Sequence, residues 1–222
     1  WLDKGAPRHG KKEDFMAVMA DYLTGTNQLE AASTFYNQLI DIDPYNASYW
    51  VGLAKCRFAA EDCEKAIEAC DFALAADDKC GEAYAYRGHS YFYLNNSDAA
   101  IEDYKKAIKY KALPPEMGYM FLGLTYSNKE AWKEADDYYQ RVIDRFIEEG
   151  LGNSPLLIDT YTNKAVAASR LGKYEEAHQL CKKAIAIQPD DPAIYLAEGK
   201  LYIQENQKKK AVKSFDKALT ME

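Results

Sequence analysis

Along most of the chain, apolar and small side chains recur at separations of three, four and seven residues, with polar residues between them. That spacing lines one face of an α-helix, whereas a strand would alternate its faces at every residue. Short polar turns join the helical stretches in pairs. The pattern predicts twelve helices, over 13–25, 28–42, 47–59, 62–76, 81–93, 96–110, 115–128, 131–149, 155–170, 173–187, 191–204 and 207–221. Asp43-Pro44, Pro114-Pro115, Ser154-Pro155 and Asp191-Pro192 fall between pairs, where proline opens a helix and Asp or Ser caps it. Gly25-Thr26-Asn27, Asn95-Asn96-Ser97, Ser127-Asn128, Leu171-Gly172 and Asn206 supply turn residues within the pairs.

The pairs repeat in register. One alanine occupies the same slot six times, as Ala32, Ala66, Ala100, Ala135, Ala177 and Ala211, at intervals of 34, 34, 35, 42 and 34 residues. Twelve residues earlier stands another small residue (Ala20, Ala54, Gly88, Gly123, Ala165, Gly199), and sixteen earlier a large one (Met16, Trp50, Tyr84, Tyr119, Tyr161, Tyr195). Four residues after the alanine comes Tyr36, Cys70, Tyr104, Tyr139, Cys181 or Phe215. Small residues mark where two helix backbones come close, and a larger side chain there overpacks the contact. The long fourth interval predicts a longer helix from Ala131, ended by Gly150, Gly152 and Asn153, and an early start for the next helix at Ser154-Pro155.

This pattern closely resembles the tetratricopeptide repeat family, most clearly in residues 84–108 (YAYRGHSYFYLNNSDAAIEDYKKAI) and 195–219 (YLAEGKLYIQENQKKKAVKSFDKAL). The resemblance implies an all-α fold, a right-handed superhelical solenoid of six helix-turn-helix repeats. The repeats run at about 13–46, 47–80, 81–115, 116–157, 158–191 and 192–222, after a leader at 1–12. Three slots depart from the family's leucine, holding Arg87, Lys164 and Glu198. Their aliphatic stems are expected to cover the core while the charge reaches water.

Composition narrows the function classes. A net charge of −7 argues against nucleic-acid binding, which draws on a basic stripe. No apolar run approaches the roughly 20 residues that cross a bilayer. Five cysteines without paired motifs fit a reducing compartment better than a disulfide framework, which slightly favours the cytoplasm. His178 and Cys181 make at most half a metal site, and zinc takes four converging ligands. No phosphate loop or nucleophile elbow occurs. The lysines at 208, 209, 210, 213 and 217 read as a solvated face. No cofactor, metal or catalytic residue is expected, and the chain is read as a non-enzyme.

The resemblance places the first helix of each hairpin on the concave side of the array, the surface a solenoid offers to partners. The inward slots there include Lys55, Phe58, His89, Phe92, Tyr93, Met117, Met120, Leu124, Arg170 and Lys200. Phe58, Phe92, Tyr93, Met120 and Leu124 are expected to form an apolar patch, rich in the side-chain types enriched at interfaces. The expected function is a protein-protein interaction scaffold that holds a peptide or protein in this groove. The alternative is a structural spacer or self-association module within a larger protein. Some family members clamp a partner's C-terminal carboxylate with lysine, asparagine and arginine. The corresponding slots hold Ala17, Asp21, Gly52, Glu82 and Tyr86, or Ala85, His89, Phe121, Asp159 and Asn163, which disfavours that mode. The abrupt start at Trp1 and the lack of a polar helix after Met221-Glu222 lead to the expectation of a longer protein. Phe215, Leu219 and Met221 at that end face suggest a homo-oligomer contact.

Overall fold

A computed structural model describes residues 6–152 and 154–221, with side chains from residue 12 onward. Among them are twelve α-helices and no strand. They are α1 (Ala6–Gly25), α2 (Leu29–Ile42), α3 (Ala47–Ala59), α4 (Cys63–Ala76), α5 (Gly81–Tyr93), α6 (Ser97–Lys109), α7 (Pro115–Asn128), α8 (Trp132–Glu148), α9 (Pro155–Arg170), α10 (Tyr174–Ile187), α11 (Pro192–Gln204) and α12 (Lys208–Leu219). None is long and apolar enough to cross a membrane. The helix starts agree with the sequence reading except in α1, which begins within the stretch read as leader. Pro7 is no obstacle there, because a first-turn residue needs no N–H for the helix ladder. Asn153, named above as a terminator, lies outside the described residues.

The chain divides into two compact units, Trp1–Leu113 and Pro114–Glu222, each with three helical hairpins and its own core. In the first unit α3 packs on α1 and α5, and in the second α9 packs on α7 and α11. The second helices, by contrast, pack chiefly on the first helices that flank them. Within each unit the first helices are therefore the closely spaced set, and they form the inner wall.

Each hairpin turns in the same way. The residue five before the aligned alanine has a left-handed backbone: Asn27 (φ 60°), Glu61 (62°), Asn95 (58°), Glu130 (58°), Gly172 (77°) and Asn206 (59°). The next N–H then donates back to a carbonyl of the preceding helix, as from Gln28 to Leu23, Asp62 to Arg57 and Asn96 to Tyr91. This bond satisfies a carbonyl that the helix end leaves without a partner. Asp62, Asn96, Asn46 and Asp191 cap the helices that follow them with their side chains.

The aligned alanines are all fully buried. An added Cβ at Gly123 would lie 2.5 Å from the Tyr139 ring, one at Gly199 2.3 Å from Phe215, and one at Gly88 3.1 Å from Tyr104. Where the ring slot holds Cys70 or Cys181, the small slot holds Ala54 or Ala165, so the two sizes compensate within one hairpin. Tyr36 is different. Its ring lies against Gly52 of the next hairpin, where a Cβ would stand 2.1 Å away, and its hydroxyl donates to Asp21 at 2.6 Å.

The charged residues in the leucine slot behave otherwise than expected, because their charges find partners inside the stack. Arg87 on α5 grips Asp103 of α6 with two hydrogen bonds (2.7 and 2.9 Å) and reaches Asp71 of α4 at 2.5 Å. The Lys164 side chain on α9 is only 4% exposed, and its ammonium donates to Asp136 of α8 and to Glu176 of α10 (3.0 Å). Glu198 accepts from the Ser214 hydroxyl at 2.7 Å. A buried charge without a partner is costly, so each of these side chains ties its helix to one or both neighbours.

In the second unit α8 and α9 run to 17 and 16 residues, as the long interval predicts. Phe146, Leu157 and Ile158 join the buried core of the second unit, and Gly150 takes a left-handed backbone just past the end of α8.

Candidate functional site

In the first unit, Lys55 and Phe58 stand one turn apart on α3, and α5 carries Tyr86, His89, Phe92 and Tyr93. Most of the rings meet edge to face, and Phe58 meets His89 at a tilt. The Phe58 centroid lies 5.6 Å from Tyr93, 5.8 Å from His89 and 6.0 Å from Tyr86, and Phe92 and Tyr93 are 6.0 Å apart. Aromatic pairs at these separations prefer such tilted arrangements. Lys55 pairs with Glu82 at 2.8 Å and lies 5.6 Å from the centre of the Tyr86 ring. Phe58 and Phe92 are half-buried, whereas Tyr93 is 68% exposed.

Beside this cluster, at the turn end of hairpins two and three, is an open cleft of about 720 Å³. Its walls are Phe58, Ala59, Tyr93 and Leu94, and its rim is Glu61, Asp62, Cys63 and Glu64. Sequence reasoning missed the rim, because the slot pattern counts helix faces and these residues belong to the turn and the first turn of α4. The turn slot gave little signal, because Glu61 shares it with Glu130 as well as with Asn27, Asn95, Gly172 and Asn206.

His89 Nδ1 lies 3.0 Å from the Tyr104 hydroxyl, and burial pulls the imidazole down to about 4. The ring is therefore neutral at pH 7, whereas an unfolded chain protonates it near pH 6.5. Between those values the folded state holds fewer protons, so stability falls as the pH drops from about 6.5 toward 4, by up to ~3 kcal/mol. His89→Phe should flatten that part of a stability-pH curve measured by urea unfolding. An unchanged slope would assign it to other groups.

In the second unit the expected residues do not form one patch. Met117 is 40% exposed and Leu124 half-buried. Met120, expected on the groove surface, is buried at 6%, with its sulfur 3.6 Å from the Thr160 hydroxyl of α9. Its slot faces the next first helix rather than the open groove. The same slot buries Val51 and Ala85 in the first unit, and only in the last hairpin, at Leu196, is it exposed. Met120 is thus a core residue. Arg170 lies over the Trp132 ring at 5.4 Å, and Lys200 is exposed.

The five cysteines are free, and burial pushes the thiols of Cys70 and Cys181 up to about 12, so they remain protonated. His178 pairs with Glu205 at 2.8 Å. Among the described residues no three His, Cys, Asp or Glu side chains are grouped as metal ligands.

Paired helices, close small-residue contacts and an inner wall of first helices define a helical-hairpin repeat protein. Tetratricopeptide repeat family models match residues 14–46, 81–112, 116–190 and 169–220. The chain belongs to the tetratricopeptide repeat family. A solved tetratricopeptide repeat protein from Parabacteroides merdae superposes over 95% of this chain and 80% of its own, at a TM-score of 0.80 and 16% identity. YrrB, described as a TPR protein with an unusual peptide-binding site, covers 84% of this chain and 92% of its own, at a TM-score of 0.65 and 19% identity. Protein O-mannosyl-transferase TMTC3 of Homo sapiens is 28% identical over 144 residues, 58% of this chain. This chain spans 16% of that protein's length.

Proposed function

We propose that this chain is a protein-interaction scaffold that holds an extended or helical segment of a partner protein on its inner walls, without catalysing a reaction. Tetratricopeptide arrays serve generally as interaction scaffolds, and the fold supports that level of description. The finer reading rests on one observation, the cluster of Phe58, Phe92 and Tyr93 beside an open cleft that Phe58 and Tyr93 line. Rigid aromatic side chains that remain accessible are the usual energetic centres of protein interfaces. Lys55 and His89 flank the cluster, and Met117, Leu124, Arg170 and Lys200 are the further contacts proposed in the second unit. The peptide-binding site of YrrB supports the reading by analogy of fold, and the transferase named in TMTC3 is not carried over to this chain.

The test is affinity capture from the source organism, followed by titration of the captured partner against variants. Tyr93→Ala combined with Phe92→Ala should weaken binding at least about tenfold, as expected for interface anchors, while the thermal midpoint stays close to that of the parent. A partner held equally well by the double variant overturns the assignment of the groove. A chain that captures no protein and only spaces its neighbours overturns the scaffold reading.

A further inference from the structure

Building on that reading, we propose that the cleft at the turn end of hairpins two and three receives a cationic side chain, arginine or lysine, from the bound partner. The cleft combines two features that suit this chemistry. Its walls are the Phe58 and Tyr93 rings with Leu94, and Tyr93 and Leu94 are 68% and 45% exposed. Its rim carries three carboxylates within four residues. Asp62 is already engaged, capping α4 and pairing with Lys65 at 2.7 Å. Glu61 and Glu64 are both exposed and form none of the ion pairs found among the described residues.

An aromatic ring face attracts a cation through its quadrupole, and a carboxylate beside it adds a charge-assisted hydrogen bond. The aliphatic stem of arginine or lysine would lie against Phe58 and Leu94 while its charged head meets Glu61 or Glu64. A cleft of about 720 Å³ also has room for the residues that flank such a side chain. An acidic segment would meet like charge at the rim, so charge complementarity favours a basic segment.

The geometry is tested by titrating the isotope-labelled full chain with N-acetyl-arginine amide and with its uncharged isostere, N-acetyl-citrulline amide. Backbone amide shifts are the readout. The arginine compound should give saturable shifts confined to residues 58–64 and 93–94, and citrulline should bind about tenfold more weakly for want of the charge-assisted bond. Glu61→Gln with Glu64→Gln should remove that preference, while Tyr93→Ala should weaken both compounds. If citrulline binds as well as arginine, or the arginine shifts spread over the acidic surface at large, the cationic subsite is wrong. The groove reading fails separately, when the Phe92 and Tyr93 variants leave partner capture unchanged.

Discussion

Asp136→Asn is expected to destabilise the second unit by about 3 kcal/mol at neutral pH, the range for removing one partner from a buried ion pair. The Lys164 side chain beside it is only 4% exposed and would retain Glu176 alone, itself a partly exposed carboxylate. Burial works to raise the Asp136 pKa, but hydrogen bonds from Lys164 and Lys173 (3.0 Å for the latter) outweigh it and hold the carboxyl below its ordinary value. The sign follows from that depression. The stabilisation is complete above the unfolded carboxylate pKa of about 3.9 and is lost as the pH falls through the lower folded value. Parent and variant should therefore converge in acid. Urea unfolding at pH 7 and again below pH 4 measures both effects. A loss under about 1 kcal/mol at pH 7 would mean that Glu176 suffices for Lys164. Lys164→Leu with Asp136→Ile should restore most of the loss, because buried ion pairs are often replaceable by apolar side chains. The aligned slots elsewhere already hold Leu53 and Leu122, and Ile67 and Ile101.

Gly123→Ala should cost about 2 kcal/mol, since its Cβ would stand 2.5 Å from the fully buried Tyr139 ring and neither side can retreat. Tyr139→Cys alone should cost about 3 kcal/mol or more through the cavity it leaves. Together the two changes reproduce the Ala165–Cys181 and Ala54–Cys70 combinations, so the double variant should lose less than the sum by about 1–2 kcal/mol. Additive losses in a double-mutant cycle would show that the paired sizes in these hairpins do not compensate each other. Gly199→Ala against Phe215 offers the same cycle in the last hairpin.

The fold was legible because its signal is repeated. Each alanine slot is read six times, and helix periodicity needs no knowledge of partners. The long fourth interval was legible for the same reason, since Gly150 and Ser154-Pro155 punctuate it. What escaped depends on neighbours across hairpins. Arg87 and Lys164 were read as reaching water because the slot alignment does not show the carboxylates opposite them, Asp103 and Glu176 on the paired helix and Asp71 and Asp136 one hairpin back. Met120 was read as a groove residue because one helix seen alone does not reveal that the next first helix covers it. The Tyr36 ring leans on Gly52 of the next hairpin while its hydroxyl stays with Asp21 in its own, a choice that slot alignment does not encode. Of the candidate site, the rings on α3 and α5 were found and the acidic rim was not. Glutamate, unlike asparagine or glycine, does not advertise a left-handed turn such as the one at Glu61.

The inter-hairpin grips of Arg87 and Lys164 also make the hairpins non-interchangeable. The fifth hairpin fits behind the fourth because Asp136 awaits its lysine. Behind the second it would meet Ile67, and behind the third Ile101. Moving the fifth hairpin would thus leave Lys164 with Glu176 alone at an apolar seam, even with the length of the array preserved. A chain whose modules look alike in sequence carries in these few charges an address for its third and fifth modules.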